Sequence, residues 1–457
     1  MTEIQESAPR RFLFTALVLL TTVTAVTGSL GAPLVPGIAH DFGVSLSSAQ
    51  WSLTCTLLAG AAATPVIGRM SAGRHRRRAV FIGLGGATLG GLLCALPLGF
   101  AAFLSGRTLQ GLGYGLTPVA IAIAREALPQ HRRASAIAIL SVATVAGAGM
   151  GYPVAAAMAD LWGIRAAFGV GTAVCAATLA LAIVVLPPSP AAQSVRVDWW
   201  GTLLLAGGTT ALLLALAELS DAPARWVITL GSVGVAACIG WLWWSRRVPY
   251  PLVDIRLARH PVPLLAHVTS LLMGIGVYLL FPLVVIVVQD PTWGMGHGAT
   301  VAGLLLVPYA LTSVTGSRLS QHLVPRIDPT RLLPLGAAVY TVSFVLLVPA
   351  HDTVWQLMIA MALAGVGSGL TFAGIPGLLV GSVPRSETGS AIAFTMVVRY
   401  LGFSAGSALA VTVLTFGGEG GEAGFVRALL VAAGVGLVTV ALTLWLSLRV
   451  HGGVGRW

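Results

Sequence analysis

Residues 107–118 read RTLQGLGYGLTP, an arginine and a glutamine three residues apart, followed by glycines at every second position. At 365–371 the chain reads GVGSGLT, which matches GLGYGLT at 111–117 in five of seven positions at an offset of 254. Roughly twenty residues further on, ASAIAI at 134–139 faces GSAIAF at 389–394 at an offset of 255, so nearly the same register is kept. Matches that keep register across a connecting segment mark an internal repeat of one orientation. The alternative, glycines selected separately for close helix packing, would not keep it. The repeat predicts two parallel halves with a substrate path between them.

The rest of the chain says where those halves lie. Of 457 residues 56% are hydrophobic and 9% charged, against about 25% charged in an ordinary soluble domain. Mean hydropathy is +0.90, which excludes a large soluble domain. A bilayer-spanning helix needs about 20 apolar residues, and such runs occur near 12–35, 49–69, 80–99, 101–124, 134–158 and 165–186. Two follow near 200–217 and 226–245, then six near 264–288, 298–317, 331–349, 354–378, 388–415 and 424–448. The expected fold is an all-α polytopic membrane protein of 14 transmembrane helices. Residues 1–190 form an N-terminal six-helix half, 191–260 two inserted helices with linkers, and 261–457 a C-terminal six-helix half. The first run has acids before it and no small-residue cleavage site, so it reads as a retained span.

Charge tests this layout. All 26 basic residues are arginine. With both termini in the cytoplasm, 21 arginines fall on the cytoplasmic side and three, Arg165, Arg225 and Arg427, opposite, as the positive-inside rule requires. The acids divide seven to eight, and that rule largely ignores them. The net charge of +11 therefore reflects membrane orientation, and no nucleic-acid partner is needed. Cys55, Cys94, Cys175 and Cys238 sit singly in apolar runs, so they read as packing residues and no metal is expected.

Arg107 and Arg399 remain as the charges within the membrane's thickness. An arginine there costs about 2.5–3.5 kcal/mol on insertion scales, which makes function the default reading and a structural arginine the alternative. Gln110 shares a helix face with Arg107. No acid falls deep within a span; Asp41 and Glu218 come closest, at outer ends. A cavity holding two arginines and no acid favours neutral or anionic substrates. Its candidate lining is Thr27, Gln50, Tyr114, Tyr278, Tyr309, Arg399 and Tyr400, with Tyr152 beside it. His267 is a weaker candidate for proton coupling, against a packing role. No sequence signature of a hydrolase, metalloprotease or ATPase is present, so no enzyme is expected and transport must draw on gradients.

Around Arg107 the sequence resembles the R-x-x-Q-G-x-G pattern on the fourth helix of the major facilitator superfamily, whose arginine is associated with proton-linked transport. GRMSAGRHRRR at 68–78, with Gly68, Arg69, Arg74, Arg76 and Arg77, resembles its arginine-rich cytoplasmic loop. GAGMGYP at 147–153, with Gly147, Gly151, Tyr152 and Pro153, resembles its antiporter motif, a gating segment in exporters. The six, two, six layout is similar to the fourteen-helix drug:proton antiporter branch, as are RVPYPLVDIR at 247–256 and LVPYAL at 306–311. Three features depart from that branch. Thr27 stands where an acid is usual in helix one; Ala72 and His75 replace the usual aspartate and second glycine of the loop; and no buried acid offers itself for coupling. Glu126 against Arg74 or Arg76 is the candidate replacement in the loop.

The resemblance implies a multi-pass exporter in the plasma (cytoplasmic) membrane of a bacterium. It would be a monomer without cofactor, moving a small hydrophobic or aromatic molecule against protons, with Arg107, Gln110, Asp41 and Glu126 in proton linkage. The alternatives are an uncoupled facilitator of the same substrates and a non-transporting membrane receptor or scaffold.

Overall fold

The computed structural model describes residues 8–71, 75–127, 130–186, 198–218, 223–249, 251, 255, 260–324, 326–383, 388–416 and 421–453. Its long elements are helices. They begin with α1 (Ala8–Ser29), a 3-10 turn (Ala32–Leu34), α2 (Val35–Phe42), α3 (Leu46–Ser71) and α4 (Arg76–Ala95). Next come α5 (Phe100–Gln110), a second 3-10 turn (Gly111–Gly115), α6 (Leu116–Ala127), α7 (Gln130–Trp162) and α8 (Ile164–Val185). After α9 (Trp199–Ala217) and α10 (Ala224–Ser245) follow α11 (Pro261–Gln289), α12 (Ala299–Leu323), α13 (Pro329–Leu347), α14 (Val354–Ser382), α15 (Thr388–Thr415) and α16 (Glu422–Gly453).

Among the described residues 12 helices are long and apolar enough to cross a membrane, against the fourteen expected. The two expected spans outside that set are nonetheless helical. The fourth is split by its 3-10 turn into α-helices of 11 and 12 residues, each short of a bilayer. The fifth is the 33-residue α7, part of whose side chains lie outside the described residues.

Large apolar side chains stand exposed around the bundle, Val184 at 82% and Ile228 at 67% among them, as a lipid solvent permits. Backbone groups of a span must be satisfied within it, which favours helix throughout. Tight turns close one end of the bundle, called here the far end; the start of α1 and the end of α16 lie at the other, called the termini end. Gly99 and Gly163 cap α5 and α8 with φ of 86° and 84°, a backbone region open to glycine and costly for residues with a Cβ.

The repeated glycines make corresponding contacts. A Cβ on Gly111 would meet the Thr56 carbonyl of α3 at 2.5 Å, and one on Gly365 the Tyr309 carbonyl of α12 at 2.4 Å. Gly115 and Gly369 abut the same two helices through Ile67 and Ser313. Gly113 faces Ala87 of α4, and Gly367 faces Gly336 and Tyr340 of α13. The second helix of each set thus receives the outer glycines and the third helix the middle one. The local backbone differs: 111–115 is 3-10, whereas 365–371 stays α-helical within α14.

α9 and α10 are peripheral. They pack on each other where Gly208 meets Cys238 and Gly234 meets Leu212, and Asp198 joins them by accepting from the Gly201 N–H and the Trp244 indole. α9 lies over the seam between α3 and α15, with Leu213 among Leu58 and Ala408.

Candidate functional site

Arg107 is fully buried where α1, α3, α5 and α8 converge. Its Nε donates to the Ser52 carbonyl at 2.9 Å, and its Nη1 to Gln110 Oε1 at 2.5 Å and the Thr27 carbonyl at 3.5 Å. The Phe168 ring lies 5.4 Å from the guanidinium carbon, and Nη2 has no hydrogen-bond partner. Arg107 and Gln110 therefore pair as their spacing on one helix face predicts, and the arginine bridges two neighbouring helices through backbone carbonyls. Thr27, at the position of the branch's acid, turns its hydroxyl back to the Val23 and Thr24 carbonyls of its own helix.

The 3-10 turn places Tyr114. Its ring covers Gly60 and its hydroxyl approaches Gly28, where a Cβ would sit 3.0 Å and 3.2 Å away. From there rings connect across the molecule. Tyr114 meets Tyr400 edge-on at 5.2 Å; Tyr400 lies 5.8 Å from Phe403, and Phe403 4.4 Å from Tyr278. Tyr278 continues to Phe281 at 5.7 Å, which meets Tyr152 at 6.0 Å and Tyr309 at 4.8 Å. All five candidate tyrosines fall in one chain of rings spanning α5 to α7 on one side and α11, α12 and α15 on the other. The phenylalanines completing it were missed in the sequence. The i, i+3 pairs Tyr278/Phe281 and Tyr400/Phe403 were the available signal, since each places two rings on one helix face.

Arg399 lies beside this chain. Phe372 stacks on its guanidinium at 4.0 Å, and its Nε and Nη2 are buried without a hydrogen-bond partner. His267, by contrast, packs on Phe394 and shares a hydrogen bond with Thr395.

The glycines of 147–153 separate into two roles. A Cβ on Gly147 or Gly151 would strike Ala25 at 2.9 Å or Ser29 Oγ at 2.4 Å, both on α1. One on Gly149 would strike Ala310 of α12 at 2.6 Å, and Gly303 of α12 fits against Tyr152 and Pro153. The motif thus seats α7 on α1 with one face and on α12 with the other.

Polar contacts tie the two helix sets together at the far end. Asp160 of α7 accepts from the Ala299 and Thr300 N–H groups at 3.2 and 2.8 Å and from the Thr300 hydroxyl at 2.7 Å, satisfying donors at the start of α12. Gln289 donates to the Pro33 carbonyl at 2.9 Å. Gln50 donates to Ser407 Oγ at 2.8 Å, and Thr54 shares a 2.9 Å hydrogen bond with the same hydroxyl. Asp41 stands exposed at the end of α2, outside these contacts. Asp160 and Ser407 were not singled out from the sequence, because a short polar residue near a span's end reads as interfacial. Ser407→Ala would leave the Gln50 amide unpaired in the seam, a loss of about 1–3 kcal/mol. We expect faster labelling of a cysteine introduced at Gln289 by a membrane-impermeant maleimide; unchanged labelling would show that Ser407 does not hold this end shut.

At the termini end Arg69 donates to the Pro251 carbonyl and Arg76 to the Ser71 carbonyl, while Arg77 donates to the Ile183 carbonyl and Gly68 faces open space. Arg74 and the Glu126 side chain lie outside the described residues, so their pairing does too. A cavity of 610 Å3 lies between α3, α5 and α9 with Trp51, Cys55, Thr108, Leu214 and Glu218 on its walls. None of the residues of the ring chain lines it.

A family model of the Major Facilitator Superfamily matches residues 17–407 and, again, 266–455. The chain belongs to that superfamily. It is a multi-pass membrane transporter and not an enzyme. Relatives include a probable actinorhodin transporter of Streptomyces coelicolor, 28% identical over 405 residues that cover 85% of this chain and 69% of that protein. A multidrug resistance protein B homolog of Mycobacterium tuberculosis is 28% identical over 393 residues, 82% of this chain and 71% of that one. Among solved structures, the human organic anion transporter MFSD10 aligns with a TM-score of 0.62 at 15% identity, covering 96% of this chain and 100% of that chain. A peptide-bound POT family transporter aligns at 0.70 and 12%, covering 96% of each. These two show the shared fold alone.

Proposed function

We propose that this superfamily member is a bacterial plasma-membrane exporter of small hydrophobic, aromatic molecules that exchanges substrate for protons by alternating access. The ring chain from Tyr114 to Tyr309 carries the reading, since it lines the seam between the sets with aromatic surface suited to planar, apolar ligands. The names of the relatives, an actinorhodin transporter and multidrug resistance proteins, support it. In this account the chain crosses the membrane fourteen times as a monomer, with 100–127 and 130–162 as the fourth and fifth spans. Residues 1–190 and 261–457 are the moving halves, and the arginine-rich termini end is cytoplasmic, so the contacts of Asp160, Gln50 and Ser407 close the outside. Arg107 and Gln110 link the halves' movement to proton transfer, and the protons come from the gradient without a cofactor.

A second reading, uncoupled facilitation, is favoured by one observation: Thr27 offers Arg107 only a carbonyl where a carboxylate would titrate. Everted membrane vesicles loaded with a fluorescent aromatic dye separate the two. Antiport predicts dye accumulation that builds on energisation and collapses when a protonophore is added. Dye equilibration indifferent to the protonophore would establish facilitation, and no difference from vesicles lacking the protein would remove transport of this class.

A further inference from the structure

We infer that Arg399 is the recognition point for an aromatic acid, with the carboxylate on its guanidinium and the ring system among the neighbouring aromatic residues. The inference deepens the exporter reading and rests on it. Nε and Nη2, the two nitrogens without partners, lie on one edge of the guanidinium, the edge that grips a carboxylate through two parallel hydrogen bonds. The guanidinium carbon lies over the Phe372 ring, 4.0 Å from its centroid, so the protein meets the group through a π face and leaves the Nε–Nη2 edge without an acceptor. Tyr400 is the next residue along the helix, and the ring chain runs from it through Phe403, Tyr278 and Phe281 to Tyr309. Ser404, one turn beyond Tyr400 on the same helix, adds a buried hydroxyl that also lacks a partner.

Among the described residues no carboxylate pairs with Arg399. A buried donor pair without acceptors is costly, and the cost is recovered when a ligand brings the acceptors. Arg107 differs, because protein carbonyls and Gln110 already occupy its Nε and Nη1. Arg399 as a whole is only partly buried, but Nε and Nη2 are covered in this arrangement, so a ligand gains them when the halves move apart.

Charge on the substrate also bears on coupling. A carboxylate carried outward crosses with its negative charge, so an inside-negative potential drives it out by about fifty-fold per 100 mV. This driving force needs no buried acid.

The test is binding to the purified full-length protein in detergent, followed by anthracene fluorescence, with 9-anthracenecarboxylate and its neutral twin 9-anthracenecarboxamide. Wild type should prefer the carboxylate by at least about tenfold. Arg399→Gln should weaken the carboxylate at least about thirty-fold and leave the amide within about twofold, and Arg399→Lys should restore part of the loss, since an ammonium keeps the charge without the fork. Equal losses for both probes would make Arg399 a structural residue. Should the variants fail to fold, the wild-type ratio still decides: equal affinity for the two probes, or binding of neither, overturns the inference. Dye export by the vesicles is read separately, so a lost carboxylate preference with dye export intact refutes this site and leaves the exporter standing.

Discussion

Arg107→Ala is expected to reduce transport to the level of membranes without the protein, while the protein still reaches the membrane. The side chain is completely buried and bonds to α1, α3 and Gln110 at once. Hydrogen bonds to a charged group are worth about 1.5–3 kcal/mol each, so losing the two shorter ones costs roughly 3–6 kcal/mol locally. The Ser52 carbonyl already lies within a helix, which limits the damage to folding and directs the loss to the arrangement of α1 against α3. Arg107→Lys should rescue only weakly, since one ammonium cannot serve acceptors on both sides as the planar fork does. Transport assayed beside quantitative blotting of the membrane fraction decides the matter. Wild-type rates in Arg107→Ala would remove the residue from the mechanism.

Gly149→Leu is expected to stop turnover by more than about tenfold with the helix sets individually intact. A Cβ there already meets Ala310 at 2.6 Å, and the side chain would enter the α7–α12 contact where Gly303 fits against Tyr152 and Pro153. Overpacking a close helix contact typically costs about 1–3 kcal/mol, and here the cost falls on the closed arrangement of the far end. Gly151→Leu differs in kind, because its neighbour is Ser29 of α1, and should lower the amount of folded protein instead. Measuring expression, melting temperature and transport for both variants separates these outcomes. Normal transport in Gly149→Leu would show that the halves need no close approach along this face.

The positions of the spans were legible because hydropathy and arginine counting act on whole segments. α8, expected near 165–186, runs Ile164–Val185. The repeat was legible for a stronger reason: its glycines occupy matching helix contacts in both sets, so close packing preserves the spacing. The split of the fourth passage was not, since the same GxGxG spelling is 3-10 at 111–115 and α-helical at 365–369. Its local form follows from what lies across it, Tyr114 seated over Gly60 in one case and direct backbone contact of Gly367 with Gly336 in the other. Arg107 with Gln110 could be paired from spacing alone, whereas its carbonyl acceptors on Ser52 and Thr27 are 55 and 80 residues away in sequence. The same distance hid Ser407, which meets Gln50 across 357 residues.

The most direct test of the account uses purified protein in proteoliposomes with an internal pH reporter, an imposed pH gradient, and the membrane potential held at zero by potassium and valinomycin. A panel of aromatic antibiotics and dyes is then added. The account predicts that an exported aromatic compound moves protons the opposite way and that Arg107→Ala abolishes both movements together. Substrate flux with no accompanying pH change would contradict proton antiport.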